Sequence, residues 1–394
     1  MKKINIWKVL TISLFVIIVS LAGIYLYRNE VFRRGYEFTD ELAGNIFPSA
    51  ILSIATTDTV VVKPSENHCL GNPKYGFIIR LKSGRANSKV RITLAKTPFF
   101  EESVSEFILP ESNTVYQIFP DVIWNYEALK NNNQATPVSV SVEVEQNGTS
   151  LGKKVRTYSV RSINECLLAY LDNKLKFHDT GIFFAAYVNE EHPMIDKLLR
   201  EALNTRLVNR FVGYQSNNPG SVDKQVYALW HVLQKRNFKY SSVSTSSLSS
   251  NVVFSQRVRT LDDALESSQV NCVDGSVLFA SLLKAITLDP ILVRIPGHMF
   301  VGYYLDKSHK KKDFLETTMI GDVNLDDFFP NERLDSTMVG KSQNEMSRVT
   351  FEKSKEFANK LFKQNIRAIK THQRFYMYLE ISKDVRRNIQ PIGK

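Results

Sequence analysis

The sequence predicts an α+β chain in three parts: an N-terminal transmembrane helix, a β-sandwich, and a C-terminal domain of helices followed by an antiparallel sheet. Three observations lead there. An uncharged run, Val9–Tyr27, stands behind Lys2, Lys3 and Lys8. Short apolar runs with turn residues between them fill the stretch from Ala50 to about Arg161. After Cys166 the apolar residues recur at helical spacing, and the last helical run passes into a strand–turn–strand pattern. With 394 residues, 43% of them hydrophobic and 23% charged, the chain can bury more than one core.

The N-terminal run has about 19 residues, which at about 1.5 Å each reach about 28 Å, close to the ~30 Å of a bilayer core. Ser20-Leu21-Ala22 could serve as a signal-peptide cleavage site, but the apolar run continues through Ile24 to Tyr27. An uncleaved signal anchor over residues 1–28 is the expectation. Arg28, Arg33 and Arg34 offset the leading lysines, so charge does not set the orientation. A single N-terminal anchor with a basic lead commonly exports the chain behind it. The expectation is a single-pass protein of the cytoplasmic membrane, held through this helix, with its bulk on the far side. Residues 29–49 then read as a connector.

Residues 50–162 hold the strand candidates Thr59–Lys63, Tyr75–Leu81, Lys89–Leu94, Thr114–Phe119, Pro137–Val144 and Lys154–Val160. Val138, Val140, Val142 and Val144 alternate with Ser or Glu, so one face is buried and the other wet. Asn147-Gly148 between the last two runs signals a hairpin. Short strands at this spacing predict an antiparallel sandwich of immunoglobulin-like type. No site is visible in it.

Residues 163–394 form the C-terminal domain. His192–Gly213 and Val222–Lys235 carry apolar stripes at i, i+3/i+4, and Trp230 on the second belongs to the core. Residues 241–250 are serine-rich and read as a loop. Leu261–Ser267 is a short helix or turn, and Cys272–Ile286 a nearly all-apolar helix. Ile291–Ile295 and His298–Leu305 are strands joined by Pro296-Gly297, and Lys307–Lys312 reverses the chain into Asp313–Ile320.

The net charge of +11 is scattered, with no basic stripe interleaved with aromatics, which argues against nucleic-acid binding. A basic surface facing anionic lipid or polymer fits better. No phosphate-binding loop or dinucleotide fingerprint occurs. The remaining histidines show no metal-ligand spacing, so neither a metal nor a cofactor is expected.

The chemistry candidate is Cys272. A thiolate is stabilised at a helix N-terminus by unpaired N–H groups and the helix dipole. Asn271 is the expected N-cap, and Asp274 supports the helix start electrostatically. His298, held at a strand end after Pro-Gly, is the candidate base. The base needs an orienting acceptor. Asp313 and Glu316 both lie on the following run, differ by an odd number of positions and so face opposite sides of a strand. Parity alone does not choose between them. Cys69 follows the first strands of the sandwich and Cys166 lies just past its last; the two could pair in an oxidising compartment, leaving Cys272 unbridged.

Asn-Cys-Val-Asp-Gly at 271–275, Pro-Gly-His at 296–298 and Leu-Glu-Thr-Thr at 315–318 resemble the Cys–His–acid core of the transglutaminase-like superfamily, a circular relative of the papain-like proteases. The closest likeness is to its bacterial envelope members. It covers about 100 residues, Val222–Gly321, and Tyr376–Ile392 is similar to the closing strand and Arg…Pro ending of some of them. The resemblance implies a papain/transglutaminase-like helix-plus-antiparallel-sheet domain located in the periplasm. It makes Glu316 the acid, where Asp is commoner. It implies an oxyanion hole built from the Cys272 N–H and an upstream side chain, for which Gln269 and then Tyr240 are nearest. Acting on a protein or peptide, the expected enzyme is a Cys–His–Glu amide hydrolase working through a thioester. A cross-linking acyltransferase and a non-catalytic binding or assembly module on the same fold are the alternatives.

Overall fold

Val138, Val140, Val142 and Val144 are all buried in the computed structural model, which describes residues 6–64, 68–236, 239–241, 248–267, 269–321 and 324–393. Most of the serine-rich stretch lies outside the described residues. Contacts divide the chain into two units. One comprises Met1–Ile46, Val60–Leu129 and Thr136–Val160; the other comprises Phe47–Thr59, Lys130–Ala135 and Arg161–Lys394.

In the first unit the valines lie on the strand Thr136–Gln146, which pairs antiparallel with Thr149–Val160 across the turn Asn147-Gly148. Both turn residues have positive φ, 51° and 78°, as the tight turn requires. The five-stranded sheet runs in the order 45–46, 149–160, 136–146, 88–94, 103–109. A four-stranded sheet runs 36–39, 78–82, 115–119, 69–71. Phe38, Phe77 and Tyr158 join the two sheets by ring contacts, and the Tyr36 hydroxyl donates to the Val142 carbonyl at 2.7 Å.

The wholly antiparallel, immunoglobulin-like sandwich expected from the sequence is not what forms. Asn45–Ile46 pairs parallel with Thr149–Val160, and Cys69–Gly71 pairs parallel with Val115–Phe119, so both sheets are mixed. Thr59–Lys63 is not a strand; Val61 and Val62 are buried in bends. Tyr36–Thr39, inside the expected connector, is a strand paired with Ile78–Lys82.

The N-terminal segment is helical over Ile6–Arg34. Among the described residues no helix is long and apolar enough to cross a membrane, which corrects the expected transmembrane helix. Its apolar run is interrupted by Thr11, Ser13, Ser20 and Gly23. No disulfide joins Cys69 and Cys166. Cys69 Sγ lies 3.5 Å from Gln117 Oε1, and Cys166 is fully buried as a thiol.

The second unit is mixed α/β. An antiparallel sheet of order 312–315, 298–304, 290–295, 377–380 carries the site. The helix Gln343–Lys370 packs on it, Ala358, Phe362 and Ile369 meeting Ile291, Val293, Phe300 and Phe314. The helix Cys272–Ala285 also packs on this sheet, and Trp230 of the helix Pro219–Lys235 is fully buried, its indole N–H donating to Thr350 Oγ1 at 3.2 Å. A separate sheet of order 177–179, 165–171, 253–257 brings in Gln256.

Candidate active site

Cys272 is the first residue of its helix because Asn271 stops the chain from extending it backwards. Asn271 Oδ1 accepts from the N–H groups of Val273 (2.7 Å) and Asp274 (2.8 Å), and Asp274 Oδ2 accepts from the Asn271 N–H at 3.2 Å. This reciprocal capping box satisfies donors that a helix start leaves open. Asp274 is itself buried and held by Arg259, whose N–H and Nη1 donate to it at 2.8 and 2.6 Å. The cap therefore hangs on a buried ion pair, and the thiol at its tip is half-buried.

His298 begins its strand directly after Pro296-Gly297. Ile295 and His298 pair across this two-residue turn, with Gly297 at φ +76°. Proline followed by a residue of positive φ is the chemistry of a type II turn. It fixes the ring at the sheet end, with the side chain 24% exposed.

Glu316 is not on the strand. The strand ends at Leu315, and Glu316 caps a short 3₁₀ turn, Thr317–Met319. Its carboxylate is wholly buried. Oε2 accepts from His298 Nε2 at 2.6 Å, and Oε1 accepts from the Thr318 N–H at 3.1 Å and Thr318 Oγ1 at 2.7 Å. Its own N–H donates to Ser354 Oγ at 2.8 Å. Asp313 faces elsewhere: it pairs with Lys355 at 2.9 Å and accepts from Asn359. The acid that reaches the imidazole is thus Glu316, delivered by a turn rather than by strand parity.

The helix and the acid-bearing turn are drawn together at a glycine. A Cβ on Gly275 would lie 2.8 Å from Thr317 Oγ1, so only glycine admits this approach. Ser276 Oγ, which donates to the Cys272 carbonyl at 2.6 Å, lies 3.3 Å from the same Thr317 hydroxyl.

The structure therefore brings Cys272, His298 and Glu316 together. Cys272 and His298 line the same cleft, and with Nε2 donating to Glu316, Nδ1 is the ring nitrogen left for the thiol. Burial alone would lower the imidazole pKa. The hydrogen bonds to Cys272 and Glu316 and their negative charge outweigh it and raise the pKa to about 10.

Cys272 and His298 line a cleft of about 400 Å³ together with Tyr240, Gln256, Asn271 and Arg294. A second cleft, of about 560 Å³, borders His298 on Thr318, Phe328, Phe357 and Leu361. Gln269 is not in either lining; it is exposed on a two-residue strand, Gln269–Val270, and its parallel partner Lys239–Tyr240 contributes Tyr240 instead. Burial and the charges of Cys272 and Glu316 push the Tyr240 hydroxyl pKa up, which keeps it a neutral donor. Asn271 is 2% exposed, and its Nδ2 has no hydrogen-bond partner. A buried donor without an acceptor beside a nucleophile is available to a ligand oxygen. The sequence signal for it is the N-cap position itself, which commits Oδ1 to the helix and leaves Nδ2 over. Among the described residues no group of three or more His, Cys, Asp or Glu side chains is placed to hold a metal ion.

No protein-family model matches the chain, and no curated protein matches it.

Proposed function

We propose that this protein is a cysteine-dependent amide hydrolase acting on a protein or peptide, in the manner the transglutaminase-like resemblance implies. The observation that carries this reading is the 2.6 Å bond between His298 Nε2 and the wholly buried Glu316, with Cys272 lining the same cleft as the imidazole. The His298 proton and the Cys272 negative charge form a resting ion pair. The thiolate attacks the amide carbonyl, and the oxyanion is met by the Cys272 N–H and Asn271 Nδ2. One such donor contributes roughly 3 kcal/mol to the transition state. His298 gives its proton to the departing amine, leaving a thioester on Cys272. Neutral His298 then takes a proton from water, the hydroxide attacks the thioester, and carboxylic acid leaves as the thiolate returns.

The test is alkylation with iodoacetamide at pH 6. Cys272 is expected to react selectively and fast, at least about tenfold faster than free cysteine, and His298→Ala is expected to abolish the advantage. A thiol that reacts only above about pH 8, as an unassisted cysteine does, sinks the enzyme reading and leaves a binding module.

A further inference from the structure

Arg294 lies on the strand that leads into the Pro296-Gly297 turn, and it lines the same cleft as Cys272 and His298. It is 6% exposed. Two of its three nitrogens are engaged: Nε donates to the Phe375 carbonyl at 3.0 Å and Nη2 to Asp179 Oδ2 at 3.3 Å. The guanidinium carbon sits 5.9 Å from the centre of the Phe184 ring, another wall of the cleft. Nη1 is buried and has no hydrogen-bond partner. Gly181 packs beside it: a Cβ there would lie 3.4 Å from Nη1 and 2.8 Å from Met377 Sδ.

An arginine held this way is under-neutralised. The Asp179 side chain is 41% exposed and its charge is shared with water, whereas the arginine side chain is 8% exposed. Burial pushes the Arg294 pKa down, and Asp179 offsets only part of that. Among the described residues no carboxylate lines the cleft, while Arg294 does. Guanidinium forks match carboxylates in geometry and charge.

We propose that Arg294 is a subsite for a carboxylate on the acyl donor, so that the thiol acts on acidic or carboxyl-terminated peptide chains. This rests on the reading of Cys272, His298 and Glu316 as an acyl-transfer site. Nη1 completes the recognition, supplying the donor that neither Phe375 nor Asp179 occupies. The carboxylate belongs either to the end of a chain or to an acidic side chain.

Paired alkylating reagents test the subsite on the full-length protein. Iodoacetyl-glycine and iodoacetyl-β-alanine present a terminal carboxylate; the α-amides of iodoacetyl-aspartate and iodoacetyl-glutamate present a side-chain one. Each is compared with its neutral carboxamide twin at pH 6. At least one carboxylate is expected to label Cys272 about tenfold faster than its twin, and the member that does so names the source. Arg294→Met is expected to bring the ratio, taken within each reagent pair on the same variant, to about one, and Arg294→Lys to keep part of it. Asp179→Asn is expected to keep or raise the ratio, because it removes a competing anion. A ratio below about twofold throughout, one that survives Arg294→Met, or one that Asp179→Asn abolishes, overturns the subsite. In each of those outcomes iodoacetamide still labels the thiol, so the proposed activity stands; only loss of iodoacetamide labelling removes both.

Discussion

The two units bury polar groups differently. In the strand-rich unit Ser83, Ser88 and Ser103 donate to the carbonyls of Glu111, Arg85 and Asp121, and the buried Asp40 carboxylate pairs with an Arg156 that stays 35% exposed. The second unit buries charges: Arg161 with Glu165, Arg259 with Asp274, and His298 with Glu316. Removing ions from water costs several kcal/mol each, so a buried pair is weak evidence of stability and better evidence of a positioned group. Two of these three pairs act on the Cys272 helix start or on the imidazole beside it. Arg161–Glu165, an i,i+4 pair, serves as the comparison without chemistry.

Five substitutions and a pH series would break or sharpen this contrast. Glu316→Gln is expected to lower the rate of amide cleavage by about 10³–10⁴, because the imidazole loses its orienting acceptor, while Asp313→Asn changes it by less than about threefold. Steady-state rates on one peptide decide between the two acids. Asp274→Ala strands the buried Arg259 and opens the helix cap, and urea denaturation should show a loss of about 3–5 kcal/mol. Gly275→Ala drives a Cβ into Thr317 and is expected to cost about 1–3 kcal/mol while also lowering turnover. An unchanged turnover would mean that the helix and the acid-bearing turn need not meet.

The His298 pKa is raised on folding, so its pairing stabilises most below the unfolded value of about 6.5 and loses that contribution as pH climbs through about 10. The stability gap between wild type and Glu316→Gln should therefore narrow between pH 6 and pH 10.5. A gap that widens reverses the sign of the coupling. The smallest effect is expected in the other unit. Ser103→Ala should cost about 1 kcal/mol and leave Cys272 alkylation untouched.

Much of the second unit is legible in the sequence because its signals are local. Asn271 as N-cap, the apolar run behind Cys272, the Pro296-Gly297 turn and the Tyr376–Ile392 tail all find their counterparts in observed elements. The features that escape depend on partners distant in sequence. Parallel pairing of Asn45–Ile46 is set by a strand more than a hundred residues away, and two residues carry no periodicity. Ser103–Leu109 escapes although Ser103, Ser105 and Leu109 are buried, because serines on the buried face disguise the alternation. Thr59–Lys63 has strand composition, but Val61 and Val62 sit in bends, where the Val61 N–H donates to the Lys74 carbonyl at 3.1 Å. Gln269 is favoured by its nearness to Cys272 along the chain, whereas the cleft selects residues by strand pairing and by the cap. Arg294 gives no signal at all, since its meaning lies in an unpaired nitrogen. The helix Gln343–Lys370, which anchors Glu316 through Ser354, is likewise absent from the sequence reading.

That last bond has a consequence for the order of synthesis. Cys272, His298 and Glu316 leave the ribosome before Ser354 and before the strand Met377–Glu380 that completes the sheet. Domains fold as units when their chain is available. The nascent protein thus carries all three groups while the backbone that aims the acid is still being made. The backbone contact that holds Glu316 toward His298 therefore forms only after the late helix has been made.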